Sequence, residues 1–341
     1  MKKISGISIL FLICVACKEK ITESSETPQQ ITSKTKEIIE YPSDVIPFMD
    51  KWTILLGDGT YKNEIINYKK ENFFYVEHDG QEHWVVYKTP NSGITSKTSS
   101  NTRTELGEKA HWVPETGGRL TGTLKVQQVS TTGNADVASS YSVVVGQIHS
   151  DEGHENEPLK IYYKKFPNHT KGSVFWNYEI NTEGDNSGRW DYSTVVWGYD
   201  FSVVGSDPAT YPKEPKDGIA LGEVFSYEIN VHNGLMSLTF TSEGHESKTF
   251  TKSLIESDFT TPSKIPQQIV KVYGSRRPIG VERANAYAGE LNYFKQGAYN
   301  QANGETTKSA TYAGDIEKQY ANGSYAEVWF KEATLGKSIV H

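Results

Sequence analysis

The chain has 341 residues, of which 36% are hydrophobic and 23% are charged, so it has enough apolar side chains for one sizeable core and is not wholly disordered. Its formal net charge of −7 argues against a general nucleic-acid-binding protein, because such domains usually carry a basic surplus. A local cationic cleft for a polyanion remains compatible with this balance. All-β sandwiches often reach about 200–250 residues as one unit, and the pattern described below favours a single folded domain.

The N-terminal residues carry the features of a bacterial secretion signal. Lys2 and Lys3 precede an apolar run over residues 4–16 that is too short to span a membrane. The small Ala16 before Cys17 is typical of lipoprotein processing, and an ordinary cleaved signal is the alternative. We predict a signal peptide over residues 1–16, lipid attachment at Cys17 and a location in the bacterial cell envelope, at the outer membrane.

The other cysteine, Cys14, lies within the predicted signal peptide. The mature chain would then have no thiol beyond the acylated Cys17, which excludes disulfides, thiol catalysis and cysteine-ligated zinc. Residues 17–45 are rich in Ser, Thr, Lys and Glu without an apolar period, as in a flexible tether. Residues 46–341 form the predicted folded domain, for which we expect a monomer.

From Trp52 onward, short alternating runs are separated by clusters of Gly, Asn, Asp and Pro. This pattern predicts an all-β, two-sheet antiparallel sandwich or jelly roll, and no long stretch has a helical period. The triplet His232, Asn233 and Gly234 predicts a tight hairpin turn. The clearest strand runs are FFYVEH, HWVVYK, GRLTGTLKVQQV, YSVVVGQIH, LKIYYKKF, SVFWNYEI, VFSYEINV, LMSLTF and LNYFKQGAYNQ.

Two longer segments, residues 181–219 and 256–290, are more irregular than a strand-turn-strand pattern requires. Loops of this length in a compact domain are usually functional or disordered. Their content of Trp, Tyr and Arg favours a function.

Strict alternation places polar side chains next to one another on three runs. In YSVVVGQIH, Gln147 and His149 would share a face with Tyr141, Val143 and Val145. In LNYFKQGAYNQ, the polar face comprises Tyr293, Lys295, Gly297, Tyr299 and Gln301, and in NTRTELGE the side chains of Arg103 and Glu105 point the same way. We therefore predict that three polar rows line one concave sheet.

Each of these residues alone is weak evidence for a site. A strand histidine is usually scaffold, and an Arg-x-Glu pair is usually a surface ion pair. Together, Arg and Gln can bind a carboxylate while His and Tyr can move protons, which suits one chemistry.

Three segments resemble the three signature motifs of the alginate lyases of polysaccharide lyase family 7. They are RTEL at 103–106, QIH at 147–149 and YFKQGAYNQ at 293–301. The resemblance extends from about residue 45 to the C-terminus and includes DKWTILL at 50–56, PLKIYY at 158–163 and LGEVFSYEI at 221–229. Two positions depart from it: Gly107 stands where the family often has Arg, and Gln296 where it usually has Ala. The first departure would weaken one substrate contact; Gln296 faces away from the Tyr299 row.

The resemblance implies a jelly roll with a concave groove that cleaves 4-linked alginate by β-elimination, without a metal or other cofactor. It implies that Arg103 and Gln147 neutralise the substrate carboxylate, that His149 accepts the C5 proton of guluronate, and that Tyr299 protonates the departing O4. Tyr299 would be both base and acid for mannuronate, with Lys295 lowering the cost of a tyrosinate. Further substrate contacts are predicted at Glu105, Lys160, Tyr293, Lys295 and Gln301.

The two long segments could close one end of the groove, which favours exolytic over endolytic cleavage. Ile148 within QIH resembles members that act on guluronate-containing blocks. Side chains of the segments suited to stacking on sugars or holding their carboxylates are Trp190, Trp197, Tyr199, Arg276, Arg277 and Arg283.

Other interpretations remain open at this stage. The same architecture hosts sugar-binding modules without chemistry, although such a module has no reason to assemble Arg103, Gln147, His149 and Tyr299. A retaining glycosidase would need two closely placed carboxylates, and no Glu-x-Asp-x-x-Glu strand is present. The loop HSDEGHENE at 149–157 is either a cation site or, as we favour, a solvated loop.

Overall fold

Two antiparallel sheets packed face to face make up the described part of the chain, which confirms the predicted jelly-roll sandwich. The predicted signal peptide and Cys17 lie outside the described residues, as does most of the tether. In this computed structural model the described residues are 39–95, 99, 101–133, 137–151, 156–184, 188–200, 202, 211–273, 278–302 and 315–340.

In chain order the strands are β1 (Trp52–Leu55), β2 (Tyr61–Lys62), β3 (Phe74–His78), β4 (His83–Pro90), β5 (Arg103–Glu108), β6 (Gly118–Gln128), β7 (Ser142–Ser150), β8 (Leu159–Lys164), β9 (Lys171–Glu179), β10 (Asp191–Trp197), β11 (Ile219–Ala220), β12 (Val224–His232), β13 (Leu235–Ser242), β14 (Lys248–Ser253), β15 (Asn292–Asn300) and β16 (Tyr325–Gly336). The described helices are short: α1 (Pro42–Val45), α2 (Gln267–Tyr273) and α3 (Ile316–Asn322). Two 3₁₀ turns cover Met49–Lys51 and Pro262–Lys264. None of these helices is long and apolar enough to cross a membrane.

The strand order brings distant parts of the chain together. The front sheet has the order β10-β9-β8-β7-β15-β5-β1-β2, with β11 added to β9, and the back sheet has the order β14-β13-β12-β6-β16-β4-β3. Strand β15 lies between β7 and β5 although it is near the C-terminus. The three predicted polar rows are therefore neighbours in one sheet.

The core lies between the inner faces of the sheets. Leu120, Leu124, Tyr227, Phe294 and Phe330 are at most 2% exposed. Full burial of such a side chain stabilises the fold by about 1.5–3 kcal/mol. Burial of these side chains therefore holds the two sheets together. The rigid sandwich is what holds the polar outer face of the front sheet in place.

Most predicted strands are confirmed, and so is the turn between β12 and β13. Asn233 and Gly234 both have positive φ, 49° and 76°, as a type I′ turn requires. One expectation is wrong: segment 181–219 is not a single irregular loop, because β10 lies inside it and pairs with β9. A register shift between Val195 and Trp197 interrupts the alternation of β10, which explains why the sequence pattern missed this strand.

The two long segments contact one another through backbone hydrogen bonds. Gly280 N donates to Gly188 O at 2.8 Å, and Arg283 N donates to Asn181 O at 2.8 Å. Thr182 and Glu282 form an isolated antiparallel bridge. The described parts of both segments thus form one structure at the strand ends nearest His149.

Candidate active site

The register of β7, β15 and β5 aligns the predicted residues across the front sheet. Tyr293 pairs with His149, Lys295 pairs with Gln147 on one side and Gly107 on the other, and Tyr299 pairs with Arg103. The prediction that three polar rows adjoin on one sheet is confirmed. Gln296 donates to Tyr227 Oη at 2.7 Å in the core, so it faces away as expected.

The alternation expected for β7 is wrong at one point. Val143 and Val145 pack in the main core, whereas Val144 packs beside Tyr299 on the outer face. The register with β8 shifts between Val144 and Gly146, so this bulge changes the face on which the following side chains lie. Gln147 and His149 consequently share the outer face with Val144 rather than with Val145.

Glu105 is the buried centre of the cluster, with a side chain that is 0% exposed. Gln147 Nε2 donates to Glu105 Oε1 at 2.5 Å, and the nitrogens of Arg103 and Lys295 lie 3.5 Å and 3.4 Å from Glu105 Oε2. One carboxylate thereby orients three donors. Because the Glu105 side chain has no exposed surface, its carboxylate bonds to these donors and not to solvent.

The guanidinium of Arg103 is held on three sides. Its Cζ lies 3.9 Å from the ring centroid of Tyr299, and Nη2 donates to Ser99 Oγ at 2.8 Å. Among the described residues, Arg103 Nε and Gln147 Oε1 are buried polar atoms without a hydrogen-bond partner. Such unsatisfied groups are costly in a folded protein, and a bound ligand is one way to satisfy them.

His149 has the protonation state of a base. Its Nδ1 lies 2.7 Å from the carbonyl oxygen of Ser150, which can only accept, so Nδ1 carries the proton and Nε2 presents a lone pair. Burial, reinforced by the cation of Lys295, lowers the pKa of His149 to about 3. The imidazole is therefore neutral at ordinary pH.

Tyr299 has the protonation state of an acid. Burial raises its pKa, although the cation of Arg103 acts in the opposite direction. The cation that lies over this ring and lowers the cost of a tyrosinate is Arg103, whereas the sequence analysis expected that effect from Lys295. Burial lowers the pKa of Lys295, and the charge of Glu105 opposes that effect.

Lys160 and Gln301 are the more peripheral of the predicted substrate contacts. Lys160 Nζ lies 3.1 Å from Glu157, 2.9 Å from Glu179 and 3.2 Å from Asp191. Although burial opposes its charge, these three carboxylates raise the pKa of Lys160 well above its usual range. Gln301 Nε2 donates to the backbone oxygen of Tyr299 at 3.5 Å, and a substrate contact for either residue stays a prediction.

The expected sugar-stacking role is wrong for the two tryptophans of the long segments. Trp190 and Trp197 are each 1% exposed, and their indole N–H groups donate to Gly280 O and Glu246 O at 3.0 Å. Both side chains belong to the core because their N–H groups find internal partners. Tyr199 Oη donates to Lys213 O at 2.5 Å and Arg283 pairs with Glu290, while residues 276 and 277 lie outside the described residues.

A profile of the alginate lyase family matches residues 46–337 of this chain. The chain belongs to the alginate lyases of polysaccharide lyase family 7. The crystal structure of the exolytic family 7 alginate lyase AlyA5 from Zobellia galactanivorans is 68% identical, with a TM-score of 0.86, and the match covers 89% of this chain and 100% of that one.

Two further comparisons agree with the family assignment. An alginate lyase of Klebsiella pneumoniae is 29% identical over 269 residues, which are 69% of this chain and 73% of that protein. The crystal structure of an alginate lyase from Klebsiella pneumoniae superimposes with a TM-score of 0.63 at 25% identity, covering 87% of this chain and 99% of that one. This chain is accordingly a polysaccharide lyase.

Two residues beside the cluster of this alginate lyase were missed by the sequence interpretation. Ser99 Oγ lies 3.4 Å from Tyr299 Oη, and the ring of His111 stacks on Tyr293 with centroids 4.8 Å apart. Ser99 precedes and His111 follows the strand that carries Arg103. Outside a strand, period-2 alternation does not predict which way a side chain points. Only their loop position relative to RTEL offered a signal.

Proposed function

We propose that this alginate lyase acts on guluronate-containing blocks, with Arg103, Gln147, His149 and Tyr299 as its catalytic residues. The observation that carries the proposal is the buried Glu105, which orients three donors beside a neutral histidine and a protonated tyrosine. In the elimination, the C5–H and C4–O4 bonds break and a C4=C5 double bond forms. The leaving O4 takes a proton, so one product carries an unsaturated sugar at its new non-reducing end.

Arg103 and Gln147 are suited to bind the carboxylate beside the reacting C5 atom. Arg103 Nε has no partner among the described groups, and Gln147 Nε2 carries a second hydrogen that Glu105 does not use. Negative charge moves onto the substrate carboxylate as C5 loses its proton. Donors held in place before the reaction stabilise that charge most in the transition state.

His149 and Tyr299 suit a reaction with a separate base and acid. The neutral imidazole presents Nε2 to accept the C5 proton, and the phenol retains its proton for O4. A reaction in which Tyr299 serves first as the base would require a tyrosinate, which burial opposes. This is the physical reason for preferring guluronate to mannuronate.

The mode of attack proposed here is exolytic. AlyA5, which is 68% identical, is described as exolytic. In this chain, backbone hydrogen bonds join segments 181–219 and 256–290 at the strand ends beside His149. A barrier at that place would close one end of the groove, which favours exolytic cleavage. Endolytic cleavage is the alternative. Early in digestion, small products at nearly constant viscosity would support exolytic action, whereas a rapid fall in viscosity with mid-sized oligomers would refute it.

The decisive test of the chemistry uses separated polyguluronate, polymannuronate and mixed blocks. Unsaturated uronates are followed by ultraviolet absorbance, and products by chromatography. We expect product from guluronate-containing blocks, and the rate should be the same with a chelator because no metal or other cofactor is predicted. Binding to alginate without absorbing product would favour a non-catalytic sugar-binding module.

We further propose that Cys17 carries a lipid anchor in the cell envelope. The support is the sequence pattern of residues 1–17 alone. Membrane fractionation should find the wild type with the outer membrane and a Cys17→Ser variant in the soluble fraction. A soluble wild type with an unblocked mature N-terminus would contradict the anchor.

A further inference from the structure

A second buried charge cluster lies on the front sheet, centred on Lys160. Lys160 of β8 is directly opposite Gln147 of β7, so the two side chains share the outer face of the sheet. Lys160 Nζ donates to Glu157 Oε2 at 3.1 Å and to Glu179 Oε2 at 2.9 Å. It also lies 3.2 Å from Asp191 Oδ1. One ammonium group therefore holds three carboxyl side chains beside the catalytic residues.

The two glutamates of this cluster differ in charge. Burial raises the pKa of Glu179 to about 8; Lys160 opposes this effect, and Glu157 and Asp191 reinforce it. Burial acts on Glu157 in the same direction, but Lys160 and His149 hold the pKa of that carboxyl well below its usual range. At neutral pH, Glu179 is therefore mostly protonated, and Glu157 carries a negative charge.

The charge of Glu157 acts on His149. Ser150, the neighbour of His149, donates its backbone N–H to Asn156 O at 2.8 Å, which brings the end of the β7–β8 loop back to this strand. Burial and the cation of Lys295 lower the pKa of His149, and Glu157 acts against both. The side chain of Glu157 is 17% exposed, so little water screens this interaction.

We propose that Glu157 is a positioning residue for the base, because its carboxylate stabilises the imidazolium that His149 becomes on taking the C5 proton. The inference rests on the proposed lyase function and deepens it. The electron pair of the C5–H bond forms the C4=C5 double bond, the C4–O4 pair leaves with O4, and O4 takes the proton of Tyr299. Burial disfavours the imidazolium, so a nearby negative charge lowers the barrier to its formation. Lys160 keeps that carboxylate ionised and in place.

The same charge opposes a reaction that uses Tyr299 as the base. Burial raises the pKa of Tyr299; the cation of Arg103 opposes this effect, and Glu157 adds to it. Among the charges around Glu157, those of Lys160 and His149 act most strongly, so its effect on His149 outweighs its effect on Tyr299. Loss of the charge should therefore slow cleavage of guluronate bonds through His149 without slowing cleavage of mannuronate bonds through Tyr299. A purely structural role would slow both.

The test compares two variants of Glu157. Glu157→Gln keeps the shape of the side chain and removes its charge, whereas Glu157→Asp keeps the charge. The matched control is Glu327→Gln on the back sheet, since Glu327 is 12% exposed and lies 3.0 Å from Lys88. For each enzyme, kcat and KM are measured on separated polyguluronate and polymannuronate, and circular dichroism checks the fold.

Glu157→Gln should lower kcat on polyguluronate by about tenfold, which corresponds to roughly 1.4 kcal/mol, with little change in KM. Its rate on polymannuronate should not fall below that of the wild type. Glu157→Asp should recover part of the lost kcat, and Glu327→Gln should match the wild type. An unchanged kcat on polyguluronate, an equal loss on both polymers, a change confined to KM, or no recovery in Glu157→Asp would overturn the inference. A wild type that forms no unsaturated product would instead refute the proposed function.

Discussion

The guanidinium of Arg103 lies over the phenol ring of Tyr299, with Cζ 3.9 Å from the ring centroid. The two residues face one another across β5 and β15. The cation stabilises developing negative charge on the phenol, which opposes the effect of burial on the pKa of Tyr299. The proposed carboxylate-binding residue therefore also controls the proposed acid.

Replacing Arg103 should impair both functions. Arg103→Ala is expected to cost about 3 kcal/mol or more in transition-state stabilisation, by analogy with the loss of an oxyanion donor. Arg103→Lys keeps the charge but loses the planar fork, so kcat/KM should recover only in part. Steady-state kinetics on polyguluronate measures both, and equal activity of Arg103→Lys and the wild type would contradict a requirement for the fork.

Tyr299→Phe should abolish turnover because the leaving O4 then has no proton donor. The variant should stay folded, since the phenol packs with Val144, Tyr162 and Phe175 and its ring is retained. Ser99→Ala is the matched control: it removes the hydroxyl 3.4 Å from Tyr299 Oη and should reduce the rate without abolishing it. Near wild-type rates in Tyr299→Phe would refute the assignment of the acid.

The pH dependence should reveal an unusually acidic histidine. Because burial lowers the pKa of His149 to about 3, the base stays neutral well below pH 6.5, and kcat/KM on guluronate should not fall with an apparent pKa near 6.5. The unfolded chain binds this proton more readily than the folded one between those two values. The free energy of unfolding should therefore decrease as the pH falls from 6.5 toward 3.

The His149→Ala variant should no longer cleave guluronate bonds. The control is His83→Ala, which replaces an exposed residue of the back sheet and should keep this activity. The measurement is product formation from polyguluronate across pH 4–9, a window of about five units around the free histidine value. An acidic limb near pH 6.5 in the wild type would show that His149 titrates as an ordinary histidine.

Glu105→Gln tests the buried centre of the cluster. The charge of Glu105 raises the pKa of both Lys295 and Tyr299, so its removal should move the alkaline limb of the rate profile to lower pH. The Gln side chain has one acceptor oxygen in place of two, so it cannot accept hydrogen bonds from all three donors at once, and kcat should fall. Glu332→Gln on the exposed face of β16 is the control. A lower kcat with an unshifted alkaline limb would indicate a packing role alone.

Trp190 should stabilise the domain rather than bind sugar. Trp190→Ala removes a core side chain that is 1% exposed and should lower the free energy of unfolding by about 3–5 kcal/mol. Trp190→Phe loses the hydrogen bond to Gly280 O but keeps a ring, so its cost should be smaller. Urea denaturation measures the free energy of unfolding of both variants. An unchanged value in Trp190→Ala would contradict the core role and favour a sugar contact in the groove.

The sequence by itself determined the all-β class, the hairpin at Asn233 and Gly234, and the chemical content of the three polar rows. These features depend on local backbone geometry, because alternation along a strand fixes which neighbouring side chains share a face. The alternation was correct for Arg103 with Glu105 and for the residues from Tyr293 to Lys295. The family motifs identified the same residues independently.

Only the tertiary structure decided how those rows are used. The insertion of β15 between β7 and β5, the bulge after Val144 and the burial of Glu105 all depend on contacts between residues far apart in the chain. The same holds for the unprotonated Nε2 of His149 and the burial of Trp190 in the core. Strand order, burial and hydrogen-bond partners are set by packing of the whole sandwich, which no local pattern encodes.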